Sequence, residues 1–372
     1  MKYKRMPIEI ESPEEFGYSR IQYNLSESSI ADQRLSDLDI SIPSNLLLLY
    51  AEHRGSARLR SLIAEDNVGI GPDDVLITGG AASALFIIAT GLLGRDDHLV
   101  VVRPNYATNI ETPRAIGCEI SYVDLSFERG FRLDFDGLAS SIRANTRLIS
   151  VTNPHNPTGT MLDAGELRRL VALAKERNCH LLVDETYRDL SFGDRLPVAA
   201  ALGDHVISVS SLSKAYGVPG LRVGWLISRS KALQEVFLAA KEQISICGSV
   251  IDEWVAEQIL AKRQRILNHT LNELRSRLDL IGAWIDREPS LEWVRPAGGV
   301  VCFPRMNIPT LAVADFYERL IKEHGTYVGP GHWFEMPDTF FRLGYGWPTQ
   351  GELEGGLDAI SKTLKENSRG SH

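Results

Sequence analysis

The sequence predicts an α/β protein, with a large domain on a mostly parallel sheet and a smaller α+β domain after it. Two observations carry this. The first is that short aliphatic and β-branched runs alternate with longer amphipathic stretches between Val75 and Ile227. The runs fall at residues 75–78, 99–102, 148–152, 180–183, 206–209 and 223–227. Runs this apolar read as strands buried on both faces, as in a parallel sheet covered by helices. Between two of them, Leu167, Leu170, Val171 and Ala174 fall at i, i+3, i+4 and i+7, the stripe of a helix packed on such a sheet. The second is that the pattern changes after Val223. A helical region over residues 231–287, interrupted near Gly248, leads to a strand-like pair at 291–294 and 300–304 around Pro296-Ala297-Gly298-Gly299. A helix around 314–323, a strand at 340–345 and a last helix with Leu353, Leu357, Ile360 and Leu364 on one face complete the chain. That order predicts the smaller α+β domain.

The expected boundaries are an irregular arm over 1–45 that contributes to the small domain, a large domain over 46–285 and a small domain over 286–367. Residues 368–372 read as a purification-tag remnant and are set aside.

A chain of 372 residues is long enough for two cores. Its net charge of −8 argues against a nucleic-acid surface. The apolar runs are too short to cross a bilayer. The basic start, Met1-Lys2-Tyr3-Lys4-Arg5, is followed by acidic rather than apolar residues, unlike a signal peptide. Cys118, Cys179, Cys247 and Cys302 have neither metal-ligand nor redox spacing, so no metal is expected and free thiols in a reducing cytoplasm are.

Four segments carry chemistry. In SLSKAYGVPGLRVGW (211–225), Lys214 follows a strand, where a lysine can reach the ligand crevice and, once desolvated, attack an aldehyde. Ser211, Ser213 and Arg222 are the hydroxyl and guanidinium donors that a phosphate needs. In NPHNPTG (153–159), a rigid turn presents the Asn156 amide at a strand end. In DETY (184–187), Asp184 ends an apolar run, where a carboxylate needs a partner such as a pyridinium N–H, and Tyr187 follows it. In TGGAAS (78–83), small residues at Gly80, Ala81 and Ala82 open a helix whose free N–H groups can bind phosphate. Tyr106, two residues after Pro104, is placed to stack on a flat ring. Each segment alone admits a plainer reading: a surface lysine, an Asn-Pro turn, a helix-capping carboxylate, a packing turn.

Together and in this order they resemble the class I/II aminotransferases of pyridoxal-5′-phosphate (PLP) fold type I, over essentially the whole chain. The resemblance implies an aspartate aminotransferase-like large domain with a seven-stranded sheet. It implies that Lys214 holds PLP as a Schiff base, that Asp184 pairs with the pyridine nitrogen, and that Asn156 and Tyr187 contact the ring oxygen. Tyr106 would stack on the ring, and Gly80, Ala81, Ala82, Ser211, Ser213 and Arg222 would bind the phosphate. Tyr50 resembles the tyrosine that reaches a neighbouring subunit's cofactor, which implies a homodimer with shared sites. Val328-Gly329-Pro330-Gly331-His332-Trp333-Phe334 followed by Phe341-Arg342-Leu343 matches the family's carboxylate-binding strand, with Arg342 as the clamp. The implied activity is transamination between an amino acid and a keto acid.

The lysine segment, RPAGGVVCFPRM (295–306) and HGTYVGPGHWF (324–334) are also similar to capreomycidine synthase-like enzymes, which eliminate a hydroxyl from a hydroxyarginine and cyclise it. Retention of Tyr187 sides with the aminotransferases. The arm segment Asn24-Leu25-Ser26-Glu27-Ser28-Ser29 lacks the glycine expected there, and Glu27 is placed to pair with a cationic or polar substrate side chain. His332 stands where side chains are often sensed. PLP-sensing transcription regulators share the scaffold but carry an N-terminal DNA-binding domain, and here the pattern begins by about Tyr23.

Overall fold

The computed structural model describes residues 1–309 and 313–369. The central sheet has seven strands: β1 Val75–Thr78, β2 His98–Arg103, β3 Glu119–Asp124, β4 Thr146–Thr152, β5 His180–Asp184, β6 Val206–Ser211 and β7 Gly224–Ile227. Their spatial order is β1-β7-β6-β5-β4-β2-β3. β7 is antiparallel to both neighbours, and the other paired strands are parallel.

The two faces of the sheet divide its side chains by alternation. On β2, Leu99 and Val101 enter one core with Ile87, Ile88 and Phe237. Val100 and Val102 enter the other with Leu167, Leu170, Val171 and Ala174. A period of two on a sheet covered on both sides makes every position apolar. The edge strand β3 escaped the sequence reading because its residues are mostly half-exposed, with Glu119 and Asp124 at its ends in water.

The helical region after β7 is three helices, Lys231–Ser245, Val250–Ala261 and Arg263–Ile285. Ser249 caps the second by accepting from Asp252 N. The two strand-like segments on either side of Pro296–Gly299 each contain a short strand, and each pairs with another part of the chain. Leu291–Glu292 lies against Arg305–Met306, and Val301–Cys302 lies against Phe341–Gly344. The turn is held elsewhere: Ala297 N and Gly298 N donate to Gly159 O, at 2.8 and 3.1 Å. It therefore docks on the Asn156 loop instead of closing a hairpin.

The arm is more ordered than its sequence indicates. It forms one-turn helices Pro7–Ile10 and Pro13–Phe16, each opened by a proline, and a strand Tyr23–Asn24 parallel to Thr326–Tyr327. It then crosses the lysine loop, with Ile30 N donating to Lys214 O (3.2 Å) and Gln33 N to Gly217 O (2.8 Å). The arm thus touches both halves of the chain. Of the segment read as a tag remnant, residues 370–372 lie outside the described residues, and the backbone before them continues the helix Gln350–Arg369.

Candidate active site

The carboxyl ends of β4, β5 and β6 open into one cavity of about 230 Å³. A crevice beyond the carboxyl ends of parallel strands is where this architecture binds ligands. Lys214, in the loop after β6, lines it with Nζ 3.1 Å from Ser28 Oγ. Removal from water lowers its amine below the ordinary lysine range, and the neighbouring Arg342 charge lowers it further.

Asp184, the last residue of β5, is buried. Its Oδ1 accepts from Thr186 N (3.1 Å) and Thr186 Oγ1 (2.6 Å). Burial raises its carboxyl, and the Thr186 bonds oppose the rise. Among the described residues it forms no salt bridge, so the site holds a buried acid in need of a cationic partner.

Arg342, on the strand Phe341–Gly344, is 4% exposed. Nη2 donates to Ser26 O at 2.7 Å and Nη1 to Asn156 Oδ1 at 3.4 Å, while Nε is buried without a partner. The guanidinium lies 5.1 Å from the Phe334 ring and 5.8 Å from the Trp333 ring. A buried fork with an unused donor is a site for a carboxylate.

The phosphate-type donors converge at the other end. Ala81 and Ala82 open the helix Ala81–Leu92, and both line the cavity with Ser211, Ser213 and Arg222. Arg222 Nη1 donates to Pro219 O at 2.7 Å and lies 3.5 Å from Ser213 Oγ. Gly80 has φ +88°, and a Cβ there would stand 2.5 Å from Arg222 Nη2. Gly80→Ala is therefore expected to displace the guanidinium and weaken PLP affinity by about tenfold or more, read by titrating apoenzyme with PLP.

Tyr106 and Tyr187 complete the walls. Tyr187 Oη donates to Ser28 O at 2.7 Å, and burial pushes its phenol up to about 12. Burial raises the Tyr106 phenol as well. Glu27 lines the cavity, its Oε1 accepting from Tyr18 Oη (3.0 Å) and Asn24 Nδ2 (3.4 Å). Burial and the nearby Glu14 charge raise its carboxyl above the ordinary range.

Two expected residues stand apart. His332 does not line this cavity: its Nδ1 is 2.9 Å from Asp338 and its Nε2 2.8 Å from Glu11, and these two carboxylates hold the ring outside. Tyr50 is 83% exposed beside exposed Leu47, Leu48 and Leu49, away from this chain's own cavity. The sequence reading missed Ser26 and Ser28 as contacts of Arg342, Lys214 and Tyr187, and it missed Glu9 and Glu14, which line the cavity from the arm. No motif marks any of the four.

A desolvated lysine, a buried acid without an ion-pair partner, a phosphate-type cradle and an unsatisfied arginine fork meet in one cavity, as a PLP enzyme requires. Residues 43–360 match the family Aminotransferase class I and II, to which the chain belongs. It has the aspartate aminotransferase-like fold of PLP fold type I, and its cofactor is pyridoxal 5′-phosphate. It is 34% identical to capreomycidine synthase of Streptomyces vinaceus, over 85% of this chain and 81% of that one. A PLP-dependent aminotransferase from Streptococcus suis superposes with a TM-score of 0.91 at 30% identity, covering 98% of this chain and 99% of that one. The PLP-dependent cyclase OrfR superposes with a TM-score of 0.87 at 28% identity, over 98% of each chain. No helix among the described residues is long and apolar enough to cross a membrane.

Proposed function

We propose that the protein is a PLP-dependent aminotransferase acting on an L-amino acid with a cationic side chain. The observation that carries the reading is the strap Ser26-Glu27-Ser28. Ser26 O touches Arg342, Ser28 Oγ touches Lys214, and Glu27 between them puts a carboxylate into the cavity. The strap thus lines up a site for the α-carboxylate, a site for the amine and an acid for the side chain.

Bound PLP would supply an electron-accepting ring that makes the α-proton of an amino acid removable. Lys214 would be the covalent anchor, and its freed Nζ, held near Ser28 and depressed by burial, would take the α-proton and return it. Asp184 would keep the ring nitrogen protonated. Asn156 and Tyr187 would face the ring oxygen and Tyr106 the ring face. Gly80, Ala81, Ala82, Ser211, Ser213 and Arg222 would hold the phosphate, and Arg342 the substrate α-carboxylate. The exposed run ending at Tyr50 supports a homodimer in which Tyr50 reaches the other subunit's phosphate. We place the large domain at 46–285, the small domain at 286–367 with the arm, and the enzyme in the cytoplasm.

Arg342→Lys keeps the charge but loses the planar fork. It is expected to weaken amino-acid binding by about 2–5 kcal/mol, seen as a raised KM with a smaller change in kcat. Glu27 must be ionised to attract a cation. As pH falls through its raised value the attraction is lost, so kcat/KM for arginine or lysine should fall on the acid side. The profile for methionine should lack that limb.

A second reading, elimination with cyclisation, is favoured by the likeness to capreomycidine synthase and OrfR. Products decide between them: a keto acid from the donor supports transamination, and a dehydrated cyclic product supports cyclisation.

A further inference from the structure

The arm carries four carboxylates over residues 9–15, and they divide by position. Glu11 accepts from His332 Nε2 at 2.8 Å and from Trp333 Nε1 at 2.7 Å, and Glu15 pairs with Arg5 at 3.2 Å. Neither lines the active-site cavity. Glu9 and Glu14 do line it, and among the described residues neither carboxylate has a hydrogen-bond or ion-pair partner. Glu14 also acts on Glu27: its charge is the largest raising influence on the Glu27 carboxyl after burial. Glu27 in turn has only neutral donors, Tyr18 and Asn24.

The Lys214 and Arg342 charges lower the Glu27 carboxyl through space, but neither cation pairs with it. Arg342 binds Ser26 and Asn156, Arg222 binds Pro219 O, and Lys214 sits at Ser28. Two like charges facing one space repel unless a cation enters between them. The unpartnered Arg342 Nε, buried in the same cavity, independently marks a place for an anion. The ligand that answers both observations is negative at the Arg342 end and positive at the arm end.

Resting on the aminotransferase reading, we infer that Glu14 is a second specificity-determining residue. With Glu27 it receives the positive end of a side chain that carries its charge several bonds from the α-carbon. The distance from the α-carbon follows from placement. Ser26 and Ser28 sit at the Arg342 and Lys214 contacts, whereas Glu14 is an exposed arm residue that lines the same cavity from another element. A short diamino acid would leave its charge beside Arg342 and Lys214, where it is repelled. A long one reaches the two carboxylates, and a guanidinium offers enough N–H donors to span both.

The test compares L-arginine with L-citrulline, which match in length and shape but differ in charge. Dissociation constants come from the absorbance change of holoenzyme without keto acid, and products from mass spectrometry. Wild type is expected to prefer arginine by at least about tenfold, and Glu14→Gln and Glu27→Gln each to reduce that ratio by about tenfold. Glu14→Asp should recover part of it. Glu15→Gln, on the same helix but outside the cavity, should leave it intact. No preference in wild type, or a ratio unmoved by Glu14→Gln, overturns the inference. An intact, Glu14-dependent preference with no keto acid formed keeps the inference and sinks transamination instead.

Discussion

Replacing Lys214 with alanine is expected to lower turnover by about 10⁴-fold, because in the proposed reading one nitrogen would serve as both covalent anchor and proton carrier. Among the cavity's other cationic side chains and its phenols there is no substitute. Arg342 and Arg222 are guanidiniums held to Asn156, Ser26 and Pro219, and neither can release a proton near neutral pH. The phenols of Tyr106 and Tyr187 are pushed up by burial, so both stay protonated and cannot take up a proton near neutral pH. The variant should still retain PLP, since Ser211, Ser213, Arg222 and Asp184 are untouched. Borohydride should then no longer fix the cofactor to the peptide containing residue 214, and added methylamine should restore part of the activity. Turnover within tenfold of wild type would remove Lys214 from the proton transfer.

Asp184→Asn should have the next largest effect, a loss of about 10²–10³ in the rate of α-proton exchange with solvent deuterium. The reason is electrostatic. Asn is close in shape and can still accept from Thr186, but it cannot hold a pyridine nitrogen in its protonated form. The apoenzyme should respond in the opposite sense. Burial raises the Asp184 carboxyl, so above that raised value its ionised form costs the folded state stability until a cation arrives. The neutral amide removes this cost. The Tm of apo Asp184→Asn at neutral pH is therefore expected to equal or exceed that of wild type, and PLP should raise it less. A large drop in apo Tm together with an unchanged exchange rate would make Asp184 a structural residue.

How much of this was legible in the sequence depended on whether a feature was local. The six buried strands showed because both faces of the sheet are covered, leaving unbroken apolar runs such as residues 99–102. The seventh, Glu119–Asp124, did not, because an edge strand keeps charged ends in water. Lys214, Asp184 and Asn156 were visible because each stands at or just after the end of a strand in a short motif, and a parallel sheet brings such ends together. The 291–294 and 300–304 segments were legible as strands, but what they pair with was not. Their true partners, 305–306 and 341–344, are set by the docking of the turn on Gly159, which no local pattern records.

The arm was the least legible part. Its two helices are one turn each, and only its pairing with Thr326–Tyr327 and its crossing of the lysine loop bring Ser26, Ser28 and Glu14 to the cavity. Glu27 was visible because it interrupts a segment where a glycine was expected. His332 was placed only because side chains are often sensed at that position, but the carboxylates of Glu11 and Asp338, one of them from the arm, draw its ring to the outside.

The most direct test of the account is a single-turnover experiment on holoenzyme, with L-arginine, L-lysine and hydroxylated arginines supplied and no keto acid. Absorbance reports the cofactor, and mass spectrometry the products. A cationic amino acid is expected to bleach the lysine-bound cofactor band and to yield one equivalent of its α-keto acid per active site. Return of the band without any keto acid, together with a substrate that has lost water, would contradict it and identify a cyclase.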